Sequence, residues 1–200
     1  MSLITHSYIN KNGAFLNGKK IVTCKKDSEN YLKELYIALD LNYSKFFKMD
    51  NLSKMVILGS NLMKDEFEVL KDGSTLQLIF ANTSSSQLTD VLFKKGYVEM
   101  KSASPSLFVY TLPNILIGEL SIYFKWQGEN VFFIQKEFDT QFFIDQVNLA
   151  FDRGNSYCLC GWVEAKINSE EECYLFLLKN DGESLTSEIL MNSLISYRNE

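Results

Sequence analysis

The chain has 200 residues, 46% hydrophobic, 22% charged and 14% aromatic, with only two prolines. This composition excludes a disordered tail, and a domain of this length buries roughly 70% of its unfolded surface without disulfides or metal. The net charge of −5, with 18 lysines and two arginines dispersed along the chain, offers no basic stripe for nucleic acid.

No stretch approaches the ~18 uninterrupted apolar residues of a membrane span. The opening residues, MSLITHSYINKNG, lack the basic-then-apolar layout of a signal peptide. The expectation is a cytoplasmic protein with neither nucleic acid nor membrane as partner.

In chain order, His6 falls in a first strand. Residues 28–41 carry Leu32, Leu35, Tyr36 and Leu39 at helical spacing behind a capping Ser28. Residues 50–66 repeat the pattern, opened by Asp50, with Leu52, Met55, Val56, Leu62 and Met63 in one stripe and Gly59 on or near it for close packing. LQLIFA (76–81) suits a strand buried on both faces. The loop Asn82–Ser86 then leads into a helix at about 87–95, stopped by Gly96.

Residues 112–124 read as a helix with Pro113 in its first turn, 131–135 as a strand and 140–152 as a helix. Strands follow at 157–163 and 173–179, an expected antiparallel pair, and Ser184 is placed to cap a last helix. Such alternation implies one α/β domain over 1–200 with a mostly parallel sheet.

Residues that could carry chemistry are few. His6 is the only histidine, so a Ser-His-Asp triad would have to use it. No G-x-S-x-G, G-x-G-x-x-G or phosphate-binding loop occurs. Cys24, Cys158, Cys160 and Cys173 sit in apolar, strand-like surroundings and read as reduced core residues rather than metal ligands. No cofactor and no metal site are indicated. Glu170-Glu171-Glu172 reads as a solvated charge run.

Two features stand out. Gln135-Lys136-Glu137-Phe138-Asp139 is a polar cluster at a strand-to-helix junction, where open α/β sheets bind ligands. In the following helix Phe142, Phe143, Ile144, Val147, Leu149, Ala150 and Phe151 cover well over half the circumference, so it is expected to be covered on more than one side.

The order of segments from about 43 to 165 resembles the β-ketoacyl-acyl carrier protein synthases. Pro105, Phe108, Pro113, Asn114, Gly118 and Gly128 match the segment that leads to the family's nucleophilic cysteine. Asp152-Arg153-Gly154 is similar to the family's I-R-x-G turn, and Gly161-Trp162-Val163-Glu164-Ala165 to its G-G-x-E-A strand end. YSKFFKMDNLSKMVILGSNLM is similar to its R-R-M-S-R-x-x-K-M helix. Counting on from Gly128 or back from Gly154, the cysteine position falls on Glu137. Lys136 stands for the small residue before it and Glu129 for the proline. A carboxylate cannot replace a thiolate in transthioesterification. The family's paired histidines and lysine come from a second half-domain.

The resemblance implies the N-terminal half of a thiolase-like fold. Its three α/β/α layers would hold a five-stranded mixed sheet of β-α-β-α-β-α-β-β topology, the last strand antiparallel. The leading expectation is a non-catalytic ketosynthase-like protein, similar to a chain-length factor, in fatty-acid or polyketide synthesis, aryl-polyene pigments included. Its partners would be an acyl chain, an acyl carrier protein or an active β-ketoacyl synthase.

Asn114, Lys136, Glu137, Phe138 and Phe142 are the candidate substrate-binding residues, in a small or open pocket. Val131, Phe132, Phe133, Ile134 and Gln135 form an edge expected to pair across a two-fold axis into a homodimer. The competing readings are a thioester decarboxylase or hydrolase using a half-buried Glu137 as general base, and a scaffold without ligand.

Overall fold

The computed structural model describes residues 1–25, 28–167, 171–183 and 185–199, apart from the Met100 side chain. Three strands open the chain: β1 (Ser2–Asn10), β2 (Gly13–Leu16) and β3 (Lys19–Thr23). The helices α1 (Tyr31–Ala38) and α2 (Asn51–Leu62) follow, then β4 (Leu76–Asn82). Three helices cross over to the next strand: α3 (Gln87–Met100), α4 (Pro105–Val109) and α5 (Ile115–Phe124). The chain then runs through β5 (Asn130–Ile134), α6 (Thr140–Asp152), β6 (Tyr157–Glu164), β7 (Glu172–Lys179) and α7 (Ser187–Arg198).

These strands form one seven-stranded sheet in the order β3-β2-β1-β7-β6-β4-β5. The expected five strands are therefore too few, and the sheet is not mostly parallel. Only β4 with β5 and β4 with β6 pair in parallel, while the other four pairings are antiparallel. The cause is local. Lys11-Asn12, between the paired Asn10 and Gly13, and Asn17-Gly18, with Asn17 at φ 48° and Gly18 at φ 79°, are the two-residue turns that fold the N-terminal segment into a meander. β7, as expected, runs antiparallel to β6, and it also pairs with β1.

Side chains alternate between two cores, as the two-residue period of a strand requires. On one face Leu159, Leu175 and Leu177 meet α1, α2 and α5; on the other Cys158, Cys160, Tyr174, Phe176 and Leu178 meet α6 and α7. This gives the three layers α/β/α. β4 is buried along its whole length, as its apolar run requires. Gly59 is where α2 touches the sheet: a Cβ there would lie 2.9 Å from Leu175 Cδ1, and its carbonyl accepts a hydrogen bond of 2.9 Å from Ser7 Oγ.

Helix boundaries move where side chains found other work. Ser28 does not cap α1, because its hydroxyl donates to Glu34 Oε1 at 2.7 Å. Asp50 does cap α2, accepting from Ser53 N at 3.0 Å. The stripe after Leu62 tightens into a 3-10 segment, Lys64–Leu70. α3 runs through Gly96 and ends where Lys101 turns left-handed at φ 48°. The expected 112–124 helix begins at Ile115, and it is Pro105, behind the capping Ser104, that opens a helix, the short α4. Ser184 lies outside the described residues.

The four cysteines are free and buried in the cores. The charge run at 170–172 is a different case from the one expected: Glu170 lies outside the described residues, while Glu171 and Glu172 are tied into the fold. Glu171 is buried and accepts from Tyr31 Oη at 2.6 Å and Asn51 Nδ2 at 2.8 Å. Glu172 accepts from Tyr8 Oη, Trp162 Nε1 and the Arg198 guanidinium. Glu171 and Glu172, which look solvated in sequence, thus anchor α1, α2 and α7 to the start of β7.

Candidate functional site

The strand-to-helix turn 135–139 follows the carboxyl end of β5, where β4 and β6 also end. The ladder carries on one step past β5, with Gln135 N donating to Asn82 O at 2.8 Å. Beyond it the chain leaves the sheet. Glu137 and Lys136 are exposed, and Phe138 is buried against the rings of Phe143, Trp162, Tyr174 and Phe176. Phe138 therefore anchors the turn to the core. Asp139 caps α6, its Oδ1 accepting from Gln141 N at 2.9 Å and Phe142 N at 3.2 Å. A carboxylate thus already occupies the positive end of the helix dipole.

The adjoining loop is held from the neighbouring strand. Asn82 closes it by accepting from Ser85 N at 2.8 Å and donating to Ser85 O at 2.9 Å. Glu164, buried at the end of β6, accepts from Thr83 N at 2.9 Å and from the Ser84 hydroxyl, and pairs with Lys166 at 3.4 Å. Thr83 Oγ1 in turn donates to Lys136 O at 3.3 Å. Glu164 therefore positions the 82–86 loop, which touches the Glu137 turn. Its place in the G-W-V-E-A strand end was visible in sequence, and its role as an acceptor for that loop was not.

Of the candidate substrate-binding residues, Lys136, Glu137 and Phe138 are together in the turn. Phe142 lies on the first turns of α6, with its ring 5.0 Å edge-on to Phe133 of β5. Asn114 stands at the exposed start of α5, in the other helix layer. Glu137 is not half-buried, so the desolvated setting that the general-base reading requires is missing. Two clefts lie away from it. One of about 370 Å³ opens at the amino end of β5, between Gln77, Asn130, Val131, Phe133, Gln146 and Arg153. A larger one, about 1180 Å³, opens beside the start of α1 and α2.

None of the four thiols is a ready nucleophile. Cys158 is pushed up to about 12 by burial, and Cys160 and Cys173 rise well above the usual thiol range for the same reason. Cys24 is raised to about 11 by burial and by Glu34. All four are thiols rather than thiolates near neutral pH. His6 is partly buried in β1, where its Nδ1 lies 2.7 Å from Tyr197 Oη, and burial lowers its pKa. It ties α7 to the meander. Among the described residues no group of three or more His, Cys, Asp or Glu is placed to hold a metal, and no helix is long and apolar enough to cross a membrane.

β5 is an edge strand, as expected for Val131–Gln135. Ile134 is 54% exposed, and Val131, Phe132 and Phe133 are partly covered. α6 buries Phe143, Ile144, Val147 and Ala150 but leaves Leu149 45% exposed.

No protein-family model matches the chain, and no curated protein matches it. Solved structures do. A chain of the ketosynthase ApeO in complex with its chain length factor ApeC, from Xenorhabdus doucetiae, superposes with a TM-score of 0.57 at 12% identity. The match covers 91% of this chain and 81% of that one. A chain of the ishigamide ketosynthase/chain length factor gives 0.64 at 12% identity, over 91% of this chain and 62% of that one. The fold is thiolase-like, similar to that of ketosynthase and chain-length-factor proteins, built here on a seven-stranded mixed sheet.

Proposed function

We propose that this is a non-catalytic, chain-length-factor-like protein of fatty-acid or polyketide biosynthesis that works by associating with an active ketosynthase or its acyl carrier protein. One observation carries the reading. The sequence resemblance assigns the nucleophile's position to Glu137, which is exposed in the turn at the head of α6, and all four cysteines are buried in the cores. A carboxylate there cannot form the soft thioester that condensation needs, and Asp139 already occupies the helix end that would stabilise a thiolate.

The β5 edge is the proposed pairing surface, with a second copy when the protein is alone and with a synthase in the cell. Its unpaired N–H and C=O groups and partly covered Phe132 and Phe133 would be satisfied by an antiparallel copy across a two-fold axis. Mixing the purified protein with acyl carrier protein and with candidate ketosynthases, followed by size-exclusion chromatography with light scattering, tests the reading. A co-eluting complex is expected, and association with none of them would reject it. Glu137→Cys should give no condensation product on its own. Product from that variant would show that the missing half-domain is supplied in trans, and condensation product from the wild-type chain would reject the non-catalytic assignment.

A further inference from the structure

The larger cleft lies on the helix layer of α1 and α2, away from the Glu137 turn, and has no part in the reading above. Its volume of about 1180 Å³ sits at the upper end of the range of small-molecule sites, about 300–1,000 Å³. One wall is apolar, made by Leu32 and Leu88 with the edge-packed rings of Phe46 and Phe47. Phe47 is 54% exposed there, although Phe46 beside it is fully buried.

The remaining lining is cationic. Among the described residues, Lys11, Lys33, Lys54 and Lys166 border the cleft with Glu29 and Glu171, in a chain whose overall charge is −5. Both oxygens of Glu171 already accept hydrogen bonds, from Tyr31 and Asn51. Lys166 pairs with Glu164 at 3.4 Å. Lys54 differs from the rest. It is half-buried on the first turns of α2, and no hydrogen bond or short ion pair holds its ammonium among the described residues. The carboxylate one turn before it, Asp50, is engaged in capping the helix. Burial lowers the Lys54 pKa, with Asp50 and Glu171 opposing that shift only in part. A partly desolvated ammonium without a bonded partner carries a cost that an incoming anion relieves.

We infer that this cleft is a binding site for an organic anion with an apolar body, a carboxylate or a phosphate ester. Its charged head would sit on Lys54 and its apolar part against Phe46, Phe47, Leu32 and Leu88. The rigid Glu171–Tyr31–Asn51 network sets the floor of the site.

The test is isothermal titration calorimetry of the full chain with decanoate and with decyl phosphate, and with decanol as the uncharged control. Saturable one-to-one binding of at least one anion is expected, weakening as salt is added, with decanol at least tenfold weaker. Whichever head binds more tightly identifies the source chemistry. Lys54→Met and Phe47→Ser should each weaken binding at least tenfold, while Val98→Ser, on the exposed face of α3, leaves it unchanged. Should Lys54→Met lose its folded circular dichroism, the exposed Lys33→Gln, expected to weaken binding about threefold, takes its place. No saturable binding, equal binding of decanol, or affinity unchanged in the folded cleft variants would overturn the assignment.

Discussion

At one margin of the sheet β3 carries Lys19 and Lys20, the latter with its ammonium 5.0 Å from the centre of the Phe15 ring. At the other margin β5 reads Asn-Val-Phe-Phe-Ile, with neither a charge nor a proline inside it. Charge on an edge strand blocks the approach of a second strand, and its absence invites one. The fold thus closes one edge chemically and leaves the other open, beside a helix with an uncovered Leu149. Such asymmetry is expected of a domain that pairs along a single edge.

The sharpest contrast is between the middle of the sheet and its open margin. Phe176, fully buried in β7 and packed on Phe138, Phe143 and Tyr174, should cost about 3–5 kcal/mol when cut to alanine. Phe133→Ala, at the margin, should cost about 1 kcal/mol in the isolated chain. Urea unfolding of the two variants gives the comparison, and equal losses would mean that the margin is as much core as the centre.

Glu164→Gln comes next. Removing the charge that holds Thr83, Ser84 and Lys166 should cost about 1–2 kcal/mol. Amide exchange at Thr83 should also quicken, because its acceptor weakens. Unchanged protection there would separate the 82–86 loop from the end of β6.

Assembly tests the margin directly. Phe133→Lys should weaken self-association at least tenfold by light scattering, or about 1.4 kcal/mol, whereas Ile21→Lys on the lysine-bearing edge should leave it unchanged. A wild-type chain that stays a soluble monomer at micromolar concentration would defeat the pairing of β5.

The smallest effect belongs to His6, on the guarded side. Folding lowers its pKa below the usual 6.5, so the unfolded chain binds more protons as the pH drops through that value. Stability should therefore decline from about pH 6.5 downward and level off once the pH is below the folded pKa. Thermal melts of wild type and His6→Gln across pH 5–8 should converge at the acid end.

Much of the scaffold was legible from local pattern. Residues 140–152 form a helix with those boundaries, Asp50 caps α2, and the apolar run at 76–81 is buried on both faces, because each depends on contacts within a few residues. The meander went unread, although Asn17-Gly18 is a hairpin dipeptide, because short strands such as Gly13–Leu16 carry too little periodicity to stand out from turns. The site was harder to read. Phe138 looked like a pocket residue and is a core anchor, because alternation after a strand end is decided by which side the next helix packs on.

By itself the sequence determined α6, the start of α2, the buried strands, the burial of the cysteines, and the carboxylate at the head of α6. It could do so because apolar period, capping residues and residue identity act over short range. Only the tertiary structure decided that β1 pairs with β7, that Glu171 and Glu172 are bonded anchors, that Glu137 is exposed, and that four lysines border one apolar cleft. Each of these depends on groups far apart in the chain being brought together. Charge and burial at such places are properties of the packed neighbours and not of the residue alone.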